Sequence, residues 1–300
     1  MLCYDEEMSD TKTITAVPKA LADFIPLDKS WIIRMGVLDL VNGHDDMITY
    51  LQTIPADHLC TDLQALLRTS KAWNTGEDID VGESGTLYRF LQFADWKQGG
   101  KRKFIKRGTL ADRPITSDSS IVDLPIDKLL QLDNGTSQWA SIAVLLSGDT
   151  TRPKESAYKL DLTYEALEHW QNQRKAGKRW EIRYDQTILN QTQAFLQWIQ
   201  TGTMEFEPEQ AEDYCFARAF DLMDATQGEK RWPSLRQHES DRIMSMEVSL
   251  NEQQVDSADH RVVQAVAMRK GTGVEFLHPE SVAKSWPRFW EMWDTVYKRK

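Results

Sequence analysis

Leu235-Arg236-Gln237-His238-Glu239-Ser240-Asp241-Arg242-Ile243 sets two arginines, two acids and a histidine between apolar ends, and it is the most specific signal in the 300-residue chain. Outward from it lie further short segments, most of which place a small or flexible residue beside a cation. Toward the amino terminus these are Lys29-Ser30 followed by Arg34, Gly82-Glu83-Ser84-Gly85-Thr86 followed by Arg89, Asp112-Arg113-Pro114, and Thr136-Ser137-Gln138; toward the carboxy terminus, Asp259-His260-Arg261 and Ala283-Lys284-Ser285. Taken singly, a cation near a turn is an ordinary solvated charge.

Composition bounds what such segments can do. With 46 acidic against 36 basic residues and a formal charge of −10, neither a nucleic-acid surface nor an anionic membrane surface is expected, because phosphates must be met by clustered positive charge. An anionic ligand therefore requires a local basic pocket. The three cysteines, Cys3, Cys60 and Cys215, are too scattered for a disulfide framework or a paired metal site. The acidic start Met1-Leu2-Cys3-Tyr4-Asp5-Glu6-Glu7 is unlike a signal peptide, and no apolar run reaches the roughly 18 residues that a membrane helix needs. A soluble cytoplasmic protein is expected, in which the sequons at Asn134 and Asn190 carry no weight.

Alternating helical and strand-like stretches favour an α/β or α+β architecture. Periodicity predicts helices over Asp161–Gln173, Gln191–Thr201, Gln210–Ala225 and Ser281–Tyr297, the last with Trp286, Phe289, Trp290 and Trp293 on one core-facing side. Turns are predicted at Lys97–Lys101, Asp133–Thr136 and Thr201–Gly202. The chain has no phosphate-binding loop ending in Gly-Lys-Ser/Thr, no His-Glu-x-x-His, no Gly-x-Ser-x-Gly and no Gly-x-Gly-x-x-Gly, so nucleotide hydrolysis, zinc proteolysis and dinucleotide binding lose support.

In their order along the chain, the basic segments resemble the substrate-binding motifs of the 5-enolpyruvylshikimate-3-phosphate synthase family. Asp28-Lys29-Ser30 through Arg34 is similar to its opening Ser-Lys-Ser and following Arg, Gly82-Glu83-Ser84-Gly85-Thr86-Leu87-Tyr88-Arg89 to its Gly-Asn-x-Gly-Thr-x-x-Arg, and Arg113-Pro114-Ile115 to its Arg-Pro-(Met/Ile). Thr136-Ser137-Gln138 resembles Ser-Ser-Gln, Ala157-Tyr158 the Pro-Tyr before a helix, Leu235–Ile243 the family's Leu-Arg-Val-Lys-Glu-Ser-Asp-Arg-Ile, Asp259-His260-Arg261 its Asp-His-Arg, and Lys284-Ser285-Trp286-Pro287 its terminal Lys-Ser/Thr-aromatic-Pro. The likeness runs in patches from about Ile25 to the end.

The resemblance implies a two-domain inverse α/β barrel built from βαβαββ units, with residues 28–185 as the first domain, residues 1–27 with 186–300 as the second, and the active site in the cleft between them. It implies transfer of the carboxyvinyl group of phosphoenolpyruvate to the 5-hydroxyl of shikimate 3-phosphate, with no metal or organic cofactor. Phosphoenolpyruvate carries a phosphate and a carboxylate on three carbons, which suits converging arginines and lysines. Lys29, Arg113, Arg242, Arg261 and Lys284 would supply that ring, Gly85 a close backbone approach, and Gln138 a neutral donor. Ser30, Arg34, Thr136, Ser137, Tyr158 and His238 would face the acceptor, with Thr86 and Arg89 in support. Glu239 is the candidate acid at carbon and Lys29 a second proton-transfer group, a kind of step worth about 10²- to 10⁴-fold. Glu209, after Pro208, is either the acceptor-side base or an ordinary acid at a helix start.

Departures from the family gather on the acceptor side: His238 for Lys, Glu83 for Asn, and Glu155 near the usual Ser. The chain is also short, with the largest missing stretch between Tyr158 and Pro208. Transfer to a different hydroxyl acceptor and a non-catalytic ligand-binding relative are the alternatives that these changes raise; oligomeric state stays open.

Overall fold

A computed structural model describes residues 19–113, 117–132, 137–152, 160–177, 183–236 and 241–297. Among them 66% are helical and 5% lie in strands, which corrects both the α/β or α+β expectation and the inverse α/β barrel. The strands β1 (Ile79–Gly82) and β2 (Phe104–Lys106) form one parallel pair, joined through helix α5. A second parallel pair, β3 (Gln254–Val255) with β4 (Glu275–Phe276), is joined through α14. Each sheet has only two strands of two to four residues, and neither can curve into a closed wall.

The helices are α1 (Lys19–Ala22), α2 (Lys29–Val41), α3 (Asp46–Gln52), α4 (Thr61–Thr75), α5 (Gly85–Lys97), α6 (Gly108–Ala111), α7 (Ile126–Leu132), α8 (Gln138–Ser147), α9 (Asp161–Ala176), α10 (Gln186–Thr201), α11 (Tyr214–Ala219), α12 (Ala225–Arg231), α13 (Arg242–Asn251), α14 (His260–Lys270) and α15 (Phe289–Tyr297). The predicted spans at Asp161 and Gln191 fall inside α9 and α10, and the latter ends at Gly202 in the left-handed conformation (φ 74°). Two other spans are broken. Gln210–Ala225 divides because Asp221 turns the chain at φ 59° and Asp224 opens α12 with a capping box to Gln227. Ser281–Tyr297 divides into a 3-10 turn, Pro279–Lys284, and α15, since Pro287 lacks the N–H and the space that a continuous helix requires. Trp286 and Phe289 are nonetheless buried, as expected.

Apolar residues collect in two clusters. One takes in α2 to α9, from Trp31 to Leu167; the other joins Leu21 and Ile25 to Ile188 through Val296. The chain passes between them at Pro26–Asp28 and Arg183–Asp185. These two passes pair antiparallel at Leu27 and Tyr184, with Asp28 N donating to Arg183 O (2.8 Å) and Asp185 N to Pro26 O (2.9 Å). Arg183 also pairs with Asp28 (3.2 Å) and lies over the Trp31 ring (4.4 Å).

Helix α2 is the hub of the first cluster, buried at every position from Trp31 to Leu40 and packed against α3, α4, α5, α8 and α9. Its one internal acid, Asp39, is wholly buried and accepts from Trp170 Nε1 (2.8 Å), Arg174 Nη2 (2.5 Å) and Met47 N (2.8 Å), tying α9 and α3 to α2. Removing one partner of such a set strands the others without water. Asp39→Ala should lower unfolding free energy by about 3–5 kcal/mol in urea denaturation. A loss under about 1 kcal/mol would show the network to be dispensable.

Candidate functional site

Five of the seven segments turn out to be helix starts, whereas Arg113 follows the end of α6 and Lys284 closes the Pro279–Lys284 turn. Lys29, Gly85, Gln138, Arg242 and His260 are the first residues of α2, α5, α8, α13 and α14. The small polar residue before most of them is the cap: Asp28 accepts from Trp31 N, Ser84 from Leu87 N, Asp241 from Met244 N and Asp259 from Arg261 N. Each of these five is thus a cap followed by a first turn, and the first turn is where backbone N–H groups are left for an anion.

The structure gathers the described site residues as two groups. In the first cluster, Gln138 Oε1 accepts from Arg89 Nη1 (2.8 Å) and Gln138 Nε2 donates to Thr86 Oγ1 (2.9 Å). Gly85 lies under two guanidinium groups, since a Cβ there would stand 3.1 Å from Arg89 Nη1 and 3.6 Å from Arg113 Nη1. Arg113 Nη2 donates to Thr109 Oγ1 (3.1 Å), which itself donates to Glu83 Oε2 (3.4 Å). Ser137 caps α8 without a side-chain bond to its backbone.

The second group lies where the two clusters meet. Lys29 Nζ donates to Asp62 Oδ2 (3.0 Å) and to Lys284 O (3.4 Å), so residues from α2, α4 and the Pro279–Lys284 turn converge. Burial alone would lower the Lys29 ammonium's pKa, but Asp62, with Cys60, more than offsets this and holds it above its ordinary value. Lys29 is therefore a cation and a possible acid at neutral pH, not a base. Arg242, 6% exposed, donates Nε to Asp259 Oδ2 (2.8 Å). Arg261, 8% exposed, sits within electrostatic range of Lys29, His260, Asp213 and Cys215. Among the described residues its Nη1 is fully buried with no hydrogen-bond partner, and so is His260 Nδ1.

Arg34 stands apart from both. It is buried, donates Nε to Thr163 Oγ1 (3.0 Å) and Nη1 to Ser30 O (2.8 Å), and burial lowers its pKa to about 10. Glu209 is exposed, whereas Asp213 four residues on is buried, accepting from Gln191 Nε2 (2.9 Å) and from the backbone N of Glu209 (3.0 Å) and Gln210 (3.2 Å). The buried carboxylate of this segment is therefore Asp213, which the sequence reading passed over in favour of the residue after Pro208. Its burial raises its pKa, against the pull of those bonds and of Arg261. Pro114, Ile115, Thr136, Glu155, Tyr158, His238 and Glu239 lie outside the described residues.

Among the described residues no three His, Cys, Asp or Glu side chains are grouped to hold a metal ion, and no helix is long and apolar enough to cross a membrane. Two surface cavities lie away from the site residues: about 370 Å³ lined by Arg218, Asp221, Arg269 and Lys270 among others, and about 160 Å³ between the ends of α2, α8 and α9. Comparison with known proteins finds no matching family model, no matching curated protein and no matching solved structure.

Cys60 and Cys215 flank the junction, both buried, and burial drives each thiol up to about 12. Neither should react with a thiol reagent at pH 8 in the folded protein. In a Cys3→Ser background, labelling should be negligible until urea unfolds the chain; fast labelling of the native protein would contradict the buried placement.

Proposed function

We propose that the junction of the two clusters binds phosphoenolpyruvate, and that the chain transfers its carboxyvinyl group to a hydroxyl of shikimate 3-phosphate with release of phosphate, in the cytoplasm and without a cofactor. The observation that carries this reading is Arg261: a guanidinium buried in one cluster with Lys29, Arg242 and His260, with one nitrogen left without an acceptor among the described residues. A buried cation without full compensation is costly, and an anion in place would remove that cost. Opening along the paired crossing at Leu27 and Tyr184 would admit the ligand, and reclosure would exclude water.

In this reading a proton goes to the methylene carbon of phosphoenolpyruvate while the acceptor oxygen bonds to its central carbon. Glu239 is the acid that the resemblance implies, and the Lys29 ammonium steadies the negative charge of the adduct. Asp213, buried next to Arg261, takes the acceptor-side base role in place of the exposed Glu209. Collapse of the tetrahedral adduct then breaks the bond to phosphate, and the new methyl group returns its proton.

A second reading, transfer to a different alcohol, follows from the sequence departures at Glu83, Glu155 and His238, although Glu83 lies with Thr109 and Arg113 in the first group rather than at the junction.

Mixing the protein with phosphoenolpyruvate and shikimate 3-phosphate should release inorganic phosphate. Release only with an unphosphorylated alcohol supports the second reading, and no release with any acceptor sinks both. Arg261→Met supplies a separate check: it should raise the thermal midpoint of the free protein while weakening phosphoenolpyruvate binding at least about tenfold, the trade expected where a charge serves a ligand rather than the fold. A variant that binds normally would remove Arg261 from the site.

A further inference from the structure

His260 is the group at the junction that the proposed chemistry does not use. It opens α14, is 4% exposed, and its Nδ1 lies 4.0 Å from Asp259 Oδ1 without a hydrogen bond. Around it stand Asp259 and Arg261 on its own helix, Lys29 of α2 and Arg242 of α13. Of the other elements packed on α14, α11 brings Cys215, whose thiol burial keeps neutral, and Arg218, held by Glu247 of α13; the Pro279–Lys284 turn brings Lys284; and α15 brings Glu291, paired with Arg288, and Asp294. Asp62 and Asp213 reach the cluster through Lys29 and Arg261.

In the free protein this company disfavours an imidazolium. Burial is the largest cause, Asp259 opposes it, and Arg261, Lys29 and Arg242 add to it, so the ring is held well below its usual range and is neutral at pH 7. An anion seated on Lys29 and Arg261 cancels the charges that repel a proton from the ring, while the Asp259 carboxylate, 4.0 Å from Nδ1, continues to attract one. We propose that His260 takes up a proton when the junction fills with an anion, so that the protein binds its ligand together with H⁺.

The sign follows from linkage. Where the complex holds more protons than the free protein, affinity falls as pH rises, by up to about tenfold per pH unit between the free and bound titration points of His260. Below the free value the ring is protonated in both states and the dependence vanishes.

The inference rests on reading the junction as an anion site, and sulfate tests the two apart, because it is fully ionised throughout the range and contributes no protons of its own. Sulfate binding to the full chain is measured by titration calorimetry near pH 7 in two phosphate-free buffers of unlike protonation enthalpy. Net proton uptake is expected, with an affinity that falls from pH 6 to pH 8. His260→Gln should bind sulfate with no uptake and a flat pH profile. Nitrogen NMR of the wild-type imidazoles gives a readout that needs no variant, in which one buried ring should change from neutral to protonated on adding sulfate. Binding without uptake, or uptake undiminished in His260→Gln, overturns the proton linkage and leaves the anion site standing; absence of sulfate binding overturns the anion site and the linkage with it.

Discussion

Positive side chains at the positive ends of helices are the constraint around which this molecule is arranged. Lys29 and Arg242 are the first residues of α2 and α13, and Arg261 is the second of α14. A helix start carries about half a positive charge and disfavours a cation by roughly 0.3–1 kcal/mol. Asp62 relieves Lys29 at 3.0 Å, and Asp259 relieves Arg242 at 2.8 Å. Among the described residues Arg261 keeps a buried Nη1 with no acceptor. An anion at this place would answer the side chains and the helix starts together.

The far ends of α11 and α14 make the contrast clear. Arg218, Arg269 and Lys270 stand in the last turns of α11 and α14, where a cation suits the local field. Lys270 Nζ donates to the carbonyl oxygens of Ser249 and Glu252 near the end of α13, and Arg218 grips Glu247 through two nitrogens. Those charges serve the fold, and they are satisfied. At the N-terminal ends Lys29 and Arg242 are paired, but Arg261 Nη1 is buried without an acceptor among the described residues, and a buried polar group left so calls for a ligand. Their placement depends on packing: α14 is buried from His260 to Met268, and Lys29 reaches across from the other cluster because α2 begins where the chain passes between the two.

Asp28-Lys29, Asp241-Arg242 and Asp259-His260-Arg261 stood out in the sequence as basic segments, but their role as helix starts did not. A cap residue followed by a cation is set by one side chain accepting from a backbone N–H two or three residues on, and only the structure shows that bond. The inverse α/β barrel was wrongly expected, because the likeness to the transferase family lies in short segments and says little about the elements between them, which are mostly helices. Burial was hidden as well. Glu209 and Asp213 share one short segment, and only the turn Ala211–Asp213 decides which of them faces inward. Arg34 matches its motif as well as Lys29 does, yet lies on the inward side of α2, where Thr163 accepts from it.

The most direct measurement is anomalous diffraction from a crystal soaked in selenate, an anion heavy enough to locate by its own scattering. The account predicts a selenium peak within hydrogen-bonding distance of Arg261 Nη1 and close to Lys29 Nζ. Selenium found only on the outer surface, with Arg261 still unpartnered, would contradict it.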